Sequence, residues 1–195
     1  RYSPEQIVSH SFFMQHTEEF YDFYKNKMIF LDAKPNKAHL KLAEMERAGK
    51  LSAIVTQNID GLHQAAGSKN VFELHGSVHR NYCQKCGKFF DVNYVVNAKG
   101  VPYCDECGGI IKPDVVLYEE GLDSQTINGA VRAISKADML IIGGTSLVVY
   151  PAAGMIDYFK GKYLAVLNRD ATSRDKQADL CITDPIGEVL GRIRV

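Results

Sequence analysis

The sequence has no excess of charge of either sign, because Lys plus Arg and Asp plus Glu both number 23 among 195 residues. A chain with zero net charge lacks the positive field that attracts nucleic acid or an anionic membrane, so neither partner is expected. Apolar runs such as Met139–Ile142 are short, whereas a membrane-spanning helix needs roughly 20 apolar residues. The first residues also lack the apolar segment of a signal peptide, and we expect none.

The sequence also lacks the cysteine pattern of a disulfide-rich secreted protein, although it contains five cysteines. Four of them form the pairs Cys83-x-x-Cys86 and Cys104-x-x-Cys107, which residues 87–103 separate. This spacing is typical of a zinc site with four thiolate ligands and fits a redox pair or disulfides poorly. Four protein ligands leave no coordination position open, so we expect a structural metal. Because the cysteines do not form a disulfide pattern, we also expect a reducing, cytoplasmic setting.

The fifth cysteine, Cys181, lies in an apolar run that predicts a strand. A free cysteine in such a run is most often a small buried hydrophobe. From the residues alone, we therefore expect Cys181 to be an inert core thiol.

Short apolar runs alternate with helical patterns along most of the chain, which predicts an open α/β sheet of parallel strands. In such sheets the ligand lies beyond the carboxyl ends of the strands. Three polar strand ends are expected to converge there: Thr56–Asp60, Gly143–Ser146 and Asn168–Asp170. The predicted strands are Leu51–Val55, Met139–Ile142, Tyr163–Leu167 and Leu180–Thr183; the predicted helices include those from Thr17, from Pro35, at Leu122–Ser135, at Pro151–Phe159 and at Pro185–Ile193.

One segment, His79–Ile111, breaks this alternation and contains both cysteine pairs. We predict a Rossmann-like domain formed by residues 1–77 and 113–195, with a zinc-binding module inserted at residues 78–112. The fold class is therefore α/β, an open parallel sheet with a small zinc ribbon.

The residues at the strand ends suit the binding of a polar ligand. Gln57 and Asn58 can donate and accept hydrogen bonds, Asp60 can accept them, and His75 titrates near neutrality and can act as a base. No Ser–His–Asp or Cys–His spacing is present, so a hydrolytic nucleophile is not indicated. On the residues alone, His75 is equally well a satisfied polar side chain.

The other two strand ends carry weaker signals. Gly144, Thr145 and Ser146 suit the close approach of a phosphate or ribose, but they do not form a Gly-x-Gly-x-x-Gly motif. Asn168 and Asp170 suit ribose hydroxyls, and a simple turn explains them equally well.

Together these motifs resemble the bacterial-type sirtuins, a family of NAD-dependent protein lysine deacetylases. The resemblance runs in order over nearly the whole chain and includes both cysteine pairs. The remaining motifs are TQNIDGLH (Thr56–His63), ELHG (Glu73–Gly76), PDVV (Pro113–Val116), GTSLVVYPA (Gly144–Ala152) and NRD (Asn168–Asp170).

The resemblance implies a role for each matching residue. His75 corresponds to the catalytic base, and Asn58 is implied to position ribose or water. The backbone strand at Val115, Val116 and Leu117 is implied to pair with the substrate peptide. The implied cofactor contacts are Gln57, Asn58, Ile59, Asp60, Gly144, Thr145, Ser146, Asn168, Arg169 and Cys181.

The resemblance also implies the reaction: removal of acetyl groups from protein lysines with NAD, giving nicotinamide and O-acetyl-ADP-ribose. Acetylated proteins or peptides are the implied partners, zinc and NAD the implied metal and cofactor, and a monomer is favoured. The alternatives are protein ADP-ribosylation and a non-catalytic zinc-ribbon binding module.

The sequence departs from the family pattern in three places. It lacks the family's Gly-Ala-Gly-x-Ser segment. It has Tyr118-Glu119-Glu120 in place of Phe-Gly-Glu, and the extra carboxylate either favours basic flanks in the substrate or is simply solvated. Tyr21 and Tyr24 occupy the positions of the Tyr-x-x-Arg pair found in members that remove acidic acyl groups. Without that arginine, we expect neutral acyl groups, acetyl first.

Overall fold

The computed structural model describes residues 2–195, and these residues form two units that each draw on separated pieces of the chain. Unit 1 comprises residues 2–33, 58–61 and 75–122, and unit 2 comprises residues 34–57, 62–74 and 123–195. The domain boundaries expected from the sequence differ from this division and stay a prediction, and the first residue of that expected domain, Arg1, lies outside the described residues.

Eight α-helices and two short 3₁₀ helices lie within the described residues. None of these helices is long and apolar enough to cross a membrane. The α-helices are α1 (Pro4–Ile7), α2 (His10–Gln15), α3 (Thr17–Lys27), α4 (Lys37–Arg47), α5 (Leu62–Ala65), α6 (Val92–Asn97), α7 (Ser124–Lys136) and α8 (Ile186–Gly191); the 3₁₀ helices are Ala152–Tyr158 and Asp175–Gln177.

The described strands form three small sheets, two parallel and one antiparallel. The strands are β1 (Ile54–Thr56), β2 (Val71–Glu73), β3 (Gly76–Cys83), β4 (Phe89–Phe90), β5 (Ile111–Val115), β6 (Met139–Gly143), β7 (Tyr163–Leu167) and β8 (Leu180–Ile182).

Unit 1 contains the antiparallel sheet, in the order β4-β3-β5, and an aromatic core from α2 and α3. Phe13, Phe20, Tyr21 and Tyr24 are fully buried, and the rings of Phe13 and Phe20 meet edge to face with centroids 5.0 Å apart. The hydroxyl of Tyr21 donates a hydrogen bond to the backbone carbonyl of Ile111 in β5. The N-terminal helices and the cysteine-rich segment therefore share one hydrophobic core.

Unit 2 contains the parallel sheets β1-β2 and β6-β7-β8. Ile142, Leu164 and Val166 form one core of the second sheet. Helix α7 packs closely on β2, because a Cβ added at Gly129 would lie 2.3 Å from the Phe72 ring.

The expected α/β class with parallel strands is confirmed, and the structure differs in local detail. The strand β1 comprises Ile54–Thr56, with only Ile54 buried, whereas a strand over Leu51–Val55 was expected. The segment Ala152–Tyr158 is a 3₁₀ helix in place of the expected α-helix. Helix α2 was missed because its six residues are too few to display a helical period.

Candidate active site and metal centre

The four paired cysteines come together in unit 1 with the geometry of a metal site. Their four Sγ atoms lie within 4.8 Å of one another. The Sγ–Sγ distance is 3.4 Å for Cys83 and Cys107 and 3.7 Å for Cys86 and Cys104. Tetrahedral Zn–S bonds of about 2.3 Å would set the sulfurs about 3.8 Å apart. The donor set and its spacing thus fit a structural zinc ion.

The backbone around the cysteines forms two tight turns that favour this arrangement. Gly87 and Gly108, each next after a second cysteine, have φ of +75° and +67°, a conformation that residues with a Cβ rarely adopt. The ammonium of Lys88 links the two turns, because it lies 2.7 Å from Asp105 and 2.8 Å from Glu106. The hydrogen bonds that the ammonium donates to these two carboxylates raise the pKa of Lys88.

The turn Asn58–Gly61 also belongs to unit 1 and is held by β3. The backbone N–H of Val78 donates to the carbonyl of Ile59 at 3.0 Å. The ring of His79 donates from Nε2 to the carbonyl of Asp60, also at 3.0 Å. Ile59 packs against the unit 1 core. The expected ligand-binding residues Asn58 and Asp60 therefore stand on a turn whose backbone is held at the carbonyls of Ile59 and Asp60.

His75 stands immediately before β3, and its backbone is locked to β5. The N–H of Val116 donates to the His75 carbonyl at 3.0 Å. The next residue, Gly76, has φ +75°, and a Cβ placed there would lie 1.8 Å from the carbonyl oxygen of Asp114. Only glycine fits this position, so Gly76 allows the close backbone approach between the His75 segment and β5.

The strand expected to bind substrate, residues 115–117, uses its two edges differently. The N–H of Val116 faces β3, so by alternation the backbone groups of Val115 and Leu117 face the opposite edge. There the ammonium of Lys112 donates to the Val115 carbonyl at 3.2 Å, and the N–H of Leu117 donates to the Glu120 carboxylate at 2.9 Å. The edge expected to pair with a peptide is therefore occupied by these two side chains in this structure.

The carboxylate of Glu120 is the centre of a small polar cluster. It lies 2.9 Å from Nδ1 of His10 and 3.1 Å from the ammonium of Lys112. Burial raises the pKa of Glu120, but the N–H of Leu117, His10 and Lys112 outweigh it and hold the pKa below its usual value.

Glu119 does not behave as the sequence analysis expected. It adopts φ +75°, and its carboxylate accepts hydrogen bonds from the backbone N–H and the hydroxyl of Ser11 at 2.8 and 3.0 Å. The extra carboxylate, although exposed, is therefore bound to the first turn of α2, and its effect on substrate choice stays a prediction. This contact offsets the cost of a left-handed backbone at a residue other than glycine.

Tyr21 and Tyr24, expected at the acyl-recognition positions, lie in the unit 1 core. Burial raises the pKa of both phenols far above their usual value, so neither supplies a charge. Tyr24 has no hydrogen-bond partner for its hydroxyl among residues 2–195. No cation comes from either position.

In unit 2, two of the three expected strand ends lie side by side. The strands β6 and β7 are parallel neighbours, with Gly143 opposite Leu167, so Gly144–Ser146 and Asn168 leave the same edge of the sheet. Gly144 has φ +62° and its N–H donates to the Leu167 carbonyl at 3.3 Å. The amide of Asn168 donates to the Asp170 carbonyl at 2.8 Å, and Arg169 is exposed.

The third strand end, at Gln57, follows β1, which pairs only with β2 in the described sheets. The expected convergence is thus directly visible for Gly144–Ser146 and Asn168 alone.

The expectation of a core thiol at Cys181 is wrong. Its side chain is exposed and its Sγ lies 3.6 Å from the carbonyl of Asp175. The reason is position: β8 is the outer strand of its sheet, with β7 as its described partner, and both Leu180 and Cys181 in it are exposed.

The structure adds two features that the sequence did not reveal, His79 under the Asn58–Gly61 turn and the pair Lys112–Glu120 on the strand edge. Neither carries a sequence signal, since both depend on pairings between distant segments.

Comparison with known proteins gives a consistent result. The family model described as the Sir2 family matches residues 1–151. A Clostridium acetobutylicum protein named NAD-dependent protein deacetylase is 65% identical over 190 residues, covering 97% of this chain and 78% of that protein. A Clostridium perfringens protein of the same name is 64% identical over 193 residues, covering 98% of this chain and 79% of that protein.

Solved structures agree with this result. A Sir2 homologue in complex with NAD superposes with a TM-score of 0.91 at 37% identity, covering 98% of this chain and 76% of the other. Sir2 bound to an acetylated peptide gives 0.90 at 39% identity, covering 98% and 82%.

Proposed function

The chain belongs to the Sir2 family and is an NAD-dependent protein deacetylase, and from this premise we propose which of its residues carry out the reaction. The overall reaction removes acetyl groups from lysine side chains of proteins or peptides, releasing nicotinamide and O-acetyl-ADP-ribose. The main support for these roles is the 3.0 Å hydrogen bond from the backbone N–H of Val116 to the carbonyl of His75, which holds His75 next to the proposed substrate strand.

We assign proton transfer to His75. When bound, NAD supplies the ribose carbon that receives the acetyl oxygen as nicotinamide departs. His75 in its neutral form takes a proton from a ribose hydroxyl at a ring nitrogen, a role that an imidazole can fill as a general base. The chain needs no charged nucleophile of its own, which agrees with the absence of a Ser–His–Asp or Cys–His arrangement in the sequence.

Asn58 and Asp60 hold the nicotinamide and ribose end of NAD in this proposal. Their side chains offer amide and carboxylate groups, which match a carboxamide and ribose hydroxyls. Support comes from the turn itself, whose carbonyls at Ile59 and Asp60 are both occupied by hydrogen bonds from β3. A fixed backbone presents the two side chains in one orientation and reduces the entropy lost on binding.

The remaining cofactor contacts fall to the strand ends of unit 2. Gly144, Thr145 and Ser146 leave the same sheet edge as Asn168, and backbone N–H groups beyond a parallel sheet suit phosphate and ribose. The full proposed set is Gln57, Asn58, Ile59, Asp60, Gly144, Thr145, Ser146, Asn168, Arg169 and the exposed Cys181.

Acetylated substrate binds at residues 115–117 by pairing its backbone with the strand edge. In this structure Lys112 and Glu120 engage that edge at Val115 and Leu117. Substrate pairing therefore exchanges these contacts for main-chain hydrogen bonds, which lowers the net gain in free energy per hydrogen bond.

Neutral acyl groups are the proposed substrates. Tyr21 and Tyr24 are buried and uncharged, so they provide no partner for an acyl carboxylate. The proposed setting is cytoplasmic, because four thiolates that bind zinc must stay reduced. We propose no nucleic-acid or membrane partner, because the net charge is balanced. We also expect a monomer.

The test measures nicotinamide released from NAD with three peptides of one sequence: acetylated, succinylated and unmodified. We expect the fastest release with the acetylated peptide, at least about tenfold less with the succinylated one, since its carboxylate stays unpaired, and none with the unmodified one. Equal release without any peptide would contradict deacetylation. Equal rates with succinyl would contradict the acyl preference alone.

A further inference from the structure

We infer that His79 is a positioning residue, which holds the Asn58–Gly61 turn in the conformation that binds the nicotinamide end of NAD. The inference rests on the proposed roles of Asn58 and Asp60. It adds a residue to which neither the sequence motifs nor the proposed chemistry gives a role.

The first observation is a bulge in β3. Gly76 and Ser77 pair with Val115 and Asp114, but the next paired residue, Asn81, faces Pro113. Residues 78–80 of β3 therefore fall outside the backbone register with β5, although the guanidinium of Arg80 pairs with the carboxylate of Asp114 in β5 at 2.8 Å. Bulges of this kind turn side chains out of the regular alternation and are common beside active sites.

Two internal hydrogen bonds shape the bulge. The side-chain amide of the fully buried Asn81 donates to the Val78 carbonyl at 3.2 Å, and the His79 N–H lies 3.2 Å from the Ser77 hydroxyl oxygen. The bulge is thus a defined conformation with its own supports.

The bulge residues make consecutive contacts with consecutive carbonyls of the turn. The Val78 N–H donates to Ile59, and the His79 ring donates to Asp60, each at 3.0 Å. A carbonyl oxygen only accepts hydrogen bonds, so Nε2 of His79 must carry a proton. The contact therefore selects the Nε2–H tautomer when the imidazole is neutral and persists when it is charged.

Packing adds to the hydrogen bond. Gly61 closes the turn at φ +69°, and a Cβ built on it would lie 2.8 Å from Cδ2 and 3.0 Å from Nε2 of His79. The ring therefore lies directly on the glycine. The turn needs glycine for its backbone angle and for the space that His79 occupies.

The consequence for binding follows from the position of Asp60. Its carbonyl is held by His79, and its carboxylate belongs to the same residue, so the ring restrains the backbone from which that carboxylate extends. Loss of the ring removes the hydrogen bond to the Asp60 carbonyl, while the hydrogen bond from Val78 to the Ile59 carbonyl remains. We expect weaker binding of NAD and nicotinamide with little change for peptide.

The experiment compares His79→Ala, His79→Gln and His79→Asn in the full chain, with acetylated peptide. Glutamine places an N–H donor at a distance from the backbone similar to Nε2, whereas asparagine is too short. We expect Ala and Asn to raise the KM for NAD and the inhibition constant of nicotinamide about three- to tenfold, the value of one hydrogen bond. Gln should restore both constants, and the KM for peptide should stay within about twofold in all three.

The control is Asn93→Ala, which removes an exposed polar side chain from α6 in the same unit. An unchanged KM for NAD in His79→Ala, or equal defects in Gln and Ala, would overturn the inference. A failure of the proposed site looks different: Asn58→Ala and Asp60→Ala would then leave the NAD and nicotinamide constants unaltered. If those two variants raise the constants and His79→Ala does not, only the role of His79 is refuted.

Discussion

The carbonyl oxygen of His75 accepts a 3.0 Å hydrogen bond from the backbone N–H of Val116. The proposed base and the strand proposed to hold the substrate are therefore parts of one hydrogen-bonded ladder. A shift of either segment therefore moves the other, so the backbone register sets the spacing between the proposed base and the proposed substrate strand.

Replacement of His75 by alanine should abolish most turnover while leaving peptide binding intact. A general base contributes about 10²- to 10⁴-fold to the rate, and the backbone carbonyl that pairs with Val116 is unchanged in the variant. The measurements are kcat from nicotinamide release and the peptide Kd from calorimetry. His16→Ala removes a different imidazole from unit 1 and should keep the wild-type rate. Near wild-type kcat in His75→Ala would remove the assignment of the base.

Gly76 and Gly100 offer a matched pair for measuring the close approach beside His75. Both have positive φ, +75° and +67°, but a Cβ at Gly76 meets the Asp114 carbonyl at 1.8 Å, while at Gly100 it meets nothing within 4 Å. Gly100→Ala should cost about 1 kcal/mol of unfolding free energy from strain alone, and Gly76→Ala about 3 kcal/mol or more. Denaturant unfolding measures both. Equal losses would mean that the contact with Asp114 is relieved at no cost.

Zinc should be bound at one ion per chain and should stabilise unit 1. Cys83→Ser removes one thiolate of the cluster, whereas Cys181→Ser removes an exposed thiol outside it. We expect the first variant to lose zinc and to lose amide-exchange protection in β3 to β5, since structural zinc contributes folding free energy directly. The second should keep both. Metal analysis and hydrogen exchange are the measurements, and unchanged protection in metal-free protein would contradict a structural role.

The carboxylate of Glu120 should make stability depend on pH in the acid range. Its pKa is lowered from 4.5 in the folded chain because hydrogen bonds and nearby cations outweigh burial. A lowered folded pKa gives stability that is present above the unfolded value and is lost as pH falls through the folded pKa. The wild type should have a larger unfolding free energy than Glu120→Gln. This difference should be constant near neutrality and decrease below about pH 4.5. A difference that increased as the pH fell would contradict this prediction.

Local patterns predicted the metal centre and two strands well. The cysteine spacing requires only that each pair form one turn, and a zinc ion then brings the pairs together. Strand β7 coincides with the predicted Tyr163–Leu167 and β6 is one residue longer than predicted, because an apolar run between polar ends has few other stable conformations.

Features that depend on pairing between distant segments were not predictable. Cys181 has an apolar neighbourhood in sequence, but its strand is the outer one in its sheet. Glu119 looked like a free carboxylate because its partner, Ser11, lies 108 residues away. His79 reaches Asp60 through a bulge that no residue pattern marks. In each case the deciding contact is made by tertiary structure and not by local propensity.

Unit 1 is built from segments that are far apart in the chain, and this has a consequence for folding during synthesis. Tyr21 in α3 pairs with Ile111, 90 residues further along the chain, and synthesis at about 5 to 20 residues per second separates the two by roughly 5 to 20 seconds. During that interval the phenylalanines and tyrosines of α2 and α3 have no β5 to pack against. The newly made chain thus passes through a long period in which the aromatic side chains of α2 and α3 are open to chaperones or to other nascent chains.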